Sequence, residues 1–63
     1  MSEVQESWCQ DVYGDATGRT DAEIALAFSI LAQSGIDTWA RVVYNDENSS
    51  LDSVHIAKEL LLK

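Results

Sequence analysis

The segment 20–35 constrains this chain most, because it reads as a helix with both ends marked and apolar residues on two opposite sides. Thr20-Asp21-Ala22-Glu23 has the form of a capping box. In that motif the threonine hydroxyl accepts from the amide three residues on, and the glutamate carboxylate reaches back to the threonine amide. Gly35 is placed to take the left-handed conformation that closes the far end. At about 100° per residue, Ile24, Ala27, Phe28 and Leu31 fall on one face, and Leu26 and Ile30 fall on nearly the opposite one. The first set reads as the centre of the core. The second reads as a face for another chain to cover.

The length sharpens that expectation. A chain of 63 residues reads as one small helical domain spanning 1–63. Domains of this size bury only about 60% of their unfolded surface, so a disulfide, a metal or oligomerisation usually supports them. Cys9 is the only cysteine, and with His55 as the only histidine it cannot complete a structural zinc site. No metal and no cofactor is expected. Oligomerisation is the remaining support, and a homodimer suits a helix with two apolar faces.

Eleven Asp and Glu stand against Arg19, Arg41, Lys58 and Lys63, for a formal net charge of −7. A surface that binds nucleic acid or an anionic membrane needs the opposite sign. The first residues are polar and acidic, unlike a signal peptide, and the longest apolar run, 24–28, is far short of the roughly 20 residues of a membrane span. An unpaired thiol suits a reducing compartment, so the cytoplasm is the expected location.

Elsewhere the spacing predicts a first helix over 3–13, with Val4, Trp8 and Val12 recurring on one side, Cys9 and Tyr13 beside them, and Ser2 as its cap. The connection 14–19 is turn-rich. Ile36, Trp39, Ala40 and Val43 fit a short helix that Asp37 would cap, although 38–44 is also rich in β-formers. The helix is preferred; the alternative is an α+β fold with a hairpin near 38–57. The segment 45–50 is a polar loop. A last helix from residue 51 is read from the spacing of Leu51, Val54, Ala57, Lys58, Leu61 and Leu62, with Ser50 as cap and Lys58 and Lys63 toward its negative end.

Motifs that carry chemistry are weak. The stretch 14–20 departs from a phosphate-binding loop in spacing, in having Arg19 where that loop has lysine, and in the acids Asp15, Asp21 and Glu23 that would repel an anion. Asp46, Asn48, Ser50 and Asp52 alternate like half a calcium loop, but Leu51 and Ala57 stand where the glycine and the bidentate glutamate belong. A helix-turn-helix arrangement around 34–36 would give its second helix only Arg41 as a cation. His55 and Glu59 fit a surface pair, with no nucleophile adjacent in sequence. Cys9 reads as a small buried hydrophobe.

Asp52-Ser53-Val54 resembles the Asp-Ser-Leu signature of acyl carrier proteins, and the resemblance implies a phosphopantetheine arm on Ser53. That serine lies near mid-chain in the family, with two helical segments after it, whereas ten residues follow Ser53 here. An ordinary first-turn serine is the preferred reading.

The sequence therefore leads to an all-α bundle of three or four short helices, completed as a homodimer, with no enzymatic activity. Its expected role is that of a small acidic interaction or regulatory protein acting on another protein through apolar helix faces. The residues expected at the interface are Trp8, Leu26, Ile30, Trp39, Leu60, Leu61 and Leu62. The alternative is a phage-type DNA mimic that presents Glu3, Glu6, Asp11, Asp15, Asp21 and Glu23 to a nucleic-acid-binding protein.

Overall fold

The computed structural model describes residues 3–62, and all four of its regular elements are α-helices. They are α1 (Glu3–Gly14), α2 (Asp21–Ala32), α3 (Ile36–Asn45) and α4 (Leu51–Leu61). The proposed cap Ser2 and the dipole-facing Lys63 fall outside the described residues. No strand occurs among the described residues, so the hairpin alternative is overturned. The β-formers of 38–44 are accommodated because Ala40 and Val43, three apart, supply a buried stripe. Trp39, Val42 and Tyr44 lean outward. A helix satisfies its own backbone there, whereas a lone strand would leave a row of amides unpaired.

α2 begins as expected. The Glu23 amide donates to the Thr20 hydroxyl (3.2 Å), and the Thr20 amide donates to Glu23 Oε1 (3.1 Å). Its far end differs from expectation. Gln33, not Gly35, takes the left-handed conformation after the last turn (φ 55°). The Gln33 amide donates to the carbonyl of Ile30 (3.3 Å) and the Ser34 amide to that of Ser29 (3.1 Å), the double closure of a Schellman motif. Gly35, also left-handed at φ 73°, instead opens α3 and displaces Asp37 into its first turn. Two helices thus meet in a three-residue connection.

The radius of gyration is 10.1 Å, against about 10.6 Å for a compact domain of this length. α4 packs most extensively on α3, α3 and α1 both pack on α2, and the contact between α1 and α4 is the slightest of these. One cluster holds Trp8, Cys9 and Val12 of α1, Leu26, Ala27 and Ile30 of α2, Ala40 and Val43 of α3, and Ile56, Ala57 and Leu60 of α4. This divides the expected faces of α2: Ala27 is buried and Ile24 packs on the core as expected, but Leu26 is 0% exposed, whereas Phe28 is 58% and Leu31 52% exposed. The Leu26/Ile30 side is flanked by Ala22, Ala27 and Ser29, all buried. Small side chains let neighbouring helices come close, which a phenylalanine in their place would prevent.

The frame of α4 also differs. Its buried residues are Ser53, Ile56, Ala57 and Leu60, so of the spacing read from sequence only Ala57 is buried, while Leu51 is 89% exposed.

Candidate functional site

Three features stand out: a polar clasp that joins three helices, an exposed face of α1 and α2, and a groove between α1 and α4.

The clasp grows out of the capping box. Glu23 is fully buried, and while its Oε1 caps its own helix, its Oε2 reaches α4. There it accepts from Ser50 Oγ (2.7 Å) and from Ser53 Oγ. Arg19, from the turn before α2, places Nη1 within hydrogen-bond distance of four oxygens: Glu23 Oε2 (3.3 Å), Ser50 Oγ (2.9 Å), Ser53 Oγ (3.0 Å) and Asp52 Oδ1 (2.9 Å). Its Nη2 donates to Asp52 Oδ2 (3.0 Å), which makes the Arg19–Asp52 pair bidentate. Trp8 Nε1 of α1 donates to Ser53 Oγ (3.2 Å). Ser53 accepts from Trp8 and Arg19 and donates to Glu23, which uses the one donor and two acceptors a hydroxyl has. Among the described residues no buried side-chain nitrogen or oxygen lacks a partner.

The electrostatics follow from that wiring. Burial alone would raise the pKa of Glu23, but the hydroxyls of Ser53 and Ser50, the Thr20 amide and Arg19 outweigh it and hold the carboxyl at about 2. Hydrogen bonding from Arg19 leads the depression of Asp52, also to about 2, against a smaller opposing effect of burial. Asp52 in turn leads in holding the Arg19 guanidinium in its charged form. Burial, with Glu6 nearby, raises the Cys9 thiol and leaves it a poor nucleophile.

The clasp bears on several residues singled out in the sequence. Glu23 is not part of an acidic surface. Glu3, Glu6, Asp11, Asp15 and Asp21 are exposed. Arg19 faces carboxylates rather than an anion site. Ser53 is fully buried with its hydroxyl saturated, whereas an arm-bearing serine must reach solvent. Ser50 stands at the cap position of α4 but sends its hydroxyl to Glu23 instead of to its own helix. Asp46 accepts from the Asn48 amide within its own loop (2.9 Å). His55 and Glu59 meet at 3.3 Å on the solvent side.

The expected interface residues are dispersed. Trp8, Leu26, Ile30 and Leu60 belong to the core, and Leu61 packs half-buried against it. Only Leu62 (74%) and Trp39 (37%) remain exposed. Leu60 and Leu61 also line a polar-walled depression of about 680 Å³ with Ile36 and Arg41 of α3.

Two exposed apolar surfaces take their place. On the first, the Tyr13 and Phe28 rings meet edge to face with centroids 5.1 Å apart, and Leu31 lies one turn beyond Phe28. No charged residue occurs in α2 after Glu23. The second is a groove of about 530 Å³ between α1 and α4, floored by Trp8 and Ile56 and flanked by Val4 and Leu51. Glu3 and Asp11 of α1 also line it, with Asp52 and His55 of α4, and among the described residues no lysine or arginine does. The exposure of Leu51 was readable in principle: it directly follows the cap Ser50, where a side chain precedes the first full turn and escapes the packed stripe. Among the described residues no group of three or more His, Cys, Asp or Glu is gathered to hold a metal ion, and no helix is long and apolar enough to cross a membrane. Comparison with protein-family models, curated proteins and solved structures finds no match for this chain.

Proposed function

We propose that this chain is a small acidic, non-catalytic interaction protein, regulatory in role, that associates with a second copy of itself through the Tyr13–Phe28–Leu31 face. The observation that carries this reading is the exposure of Phe28 and Leu31 on an otherwise buried helix. Large exposed apolar and aromatic side chains in one patch are the usual anchors of protein interfaces. The absence of charge in α2 beyond Glu23 favours a like-charged partner there, because two chains of net charge −7 meet with least repulsion where neither presents a carboxylate. A buried, unpaired thiol fits work in a reducing compartment such as the cytoplasm.

Solution mass across a dilution series tests it. The dimer mass should persist to low micromolar concentration, hold or strengthen with added salt, and fall to the monomer in Phe28→Glu. A well-folded monomer throughout sinks the self-association. Association with a nucleic-acid-binding protein that collapses with salt would instead support the DNA-mimic reading, carried by the five exposed acids.

A further inference from the structure

We infer that the α1/α4 groove is a docking site for a basic amphipathic helix of another protein, with large apolar side chains seated on Trp8 and Ile56 between Val4 and Leu51. The inference rests on the reading of this chain as a binding protein, but not on self-association through α2.

Charge decides the occupant. Asp52 is paired with the bidentate Arg19, which leaves Glu3 and Asp11 as the groove's carboxylates without a cationic partner, and among the described residues no lysine or arginine lines it. A second copy would bring a chain of net charge −7 against that rim, and a nucleic acid or anionic bilayer would be repelled in the same way. A partner with cations flanking an apolar anchor gains on both counts.

The spacing narrows the pattern. Glu3 and Asp11 lie on one α-helix, eight residues apart, or about 12 Å along its axis. Val4 and the Trp8 ring lie between them in sequence. A helix laid along the groove matches both acids with Lys or Arg at i and i+7 or i+8, and matches the apolar floor with Leu, Met or Phe at i+3 and i+4. Such a helix lies on the surface groove above Trp8 and Ile56 and leaves the Trp8–Ser53 bond beneath it intact.

The test is an amide NMR titration of the full chain with a capped helical peptide carrying Lys at i and i+7 and Leu at i+3 and i+4. The same peptide with Glu at both Lys positions is the control. Expected are shifts at Val4, the Trp8 indole, Leu51 and Ile56 with the Lys peptide, and at least a tenfold loss of affinity in Leu51→Asp. That variant is chosen because its two effects oppose each other. Leu51 is 89% exposed at the start of α4, where an aspartate suits the helix dipole, so folding is preserved. It also adds a negative charge, so a merely electrostatic attraction of the basic peptide would tighten. Unchanged or tighter binding by Leu51→Asp, equal binding of the Glu peptide, shifts centred on Phe28 and Leu31, or no shifts at roughly 1 mM peptide would each overturn the inference. None of these outcomes alters the solution mass, so the docking site and the self-association fail separately.

Discussion

On one side of α2, Leu26 and Ile30 are sealed in the core with a carboxylate, Glu23, beside them; on the other, Phe28 and Leu31 stand more than half exposed. By hydrophobicity alone the two sides are equivalent, and the exposed one even carries the larger side chain. Their difference lies in what surrounds them. The buried side has small neighbours that admit other helices closely, and a carboxylate whose Oε1 accepts from the cap amide and whose Oε2 accepts from Ser50, Ser53 and Arg19. A carboxylate normally excluded from a core is here the reason that this side faces inward.

The largest effect that tests this contrast is Leu26→Glu. It removes a fully buried leucine and puts a charge with no partner into the cluster. The cost exceeds about 5 kcal/mol, which is comparable to the total stability of roughly 3–9 kcal/mol for a domain of this size. Circular dichroism should show an unfolded chain. A folded Leu26→Glu protein would mean that this side is not the core.

Glu23→Ala comes next. Its loss strips acceptors from Ser50, Ser53 and the Thr20 amide and leaves Arg19 with Asp52 as its only carboxylate. Removing one member of a buried, hydrogen-bonded charge pair costs about 3 kcal/mol or more. Denaturant unfolding should show this, with a smaller loss for Glu23→Gln, which retains an acceptor oxygen.

Acid should reproduce part of that loss. Both Glu23 and Asp52 are depressed to about 2 from ordinary values of 4.5 and 3.8, so the unfolded chain takes up their protons first. Their stabilisation is therefore fully present above about pH 4.5 and disappears as pH falls through about 2. The buried Glu23 accounts for most of it, on the order of 2–3 kcal/mol, while the half-exposed Asp52 is screened by water. Stability measured from pH 6 down to 2 should fall steeply, and Glu23→Gln should flatten the curve. An equally steep curve in that variant would remove Glu23 from the clasp.

What was legible in the sequence divides along the same line. The four helices, the capping box and the loops are local properties, encoded within a few residues of where they act. Thr20 and Glu23 announce their hydrogen bonds by spacing alone. The choice between two apolar faces is not local, because it depends on which side the other helices can approach. The same holds for α4: its frame through Leu51, Leu61 and Leu62 is as periodic as the true one through Ser53, Ile56 and Leu60. The latter buries Ile56, Ala57 and Leu60 in the common cluster and meets Trp8 and Arg19 with the Ser53 hydroxyl. The clasp was invisible for the same reason: its members lie up to 45 residues apart in the chain. Its local traces were the capping box itself and Arg19 four residues before Glu23.

Ser53→Ala sharpens the point at a smaller scale. It leaves Trp8 Nε1 buried without its acceptor and takes one donor from Glu23, for a loss of about 1–2 kcal/mol. Trp8 fluorescence and denaturant unfolding should both register it. An unaffected protein would make the indole contact incidental.

The smallest effect on stability is the most telling for function. Phe28→Glu gives up an edge-to-face contact with Tyr13 on a side chain already 58% exposed, a cost of about 0.5–1 kcal/mol. Folding should survive, with helical content unchanged. Yet the substitution sets a carboxylate into the charge-free part of α2, so two copies meeting there would face each other's charge, and the dimer should dissociate. Leu31→Glu, one turn away, should behave alike, whereas Leu51→Asp on the acid-rimmed groove should leave the mass untouched. If Phe28→Glu kept the dimer mass and Leu51→Asp lost it, the roles of the two exposed surfaces would be exchanged, and the argument from charge that separates them would fall with them.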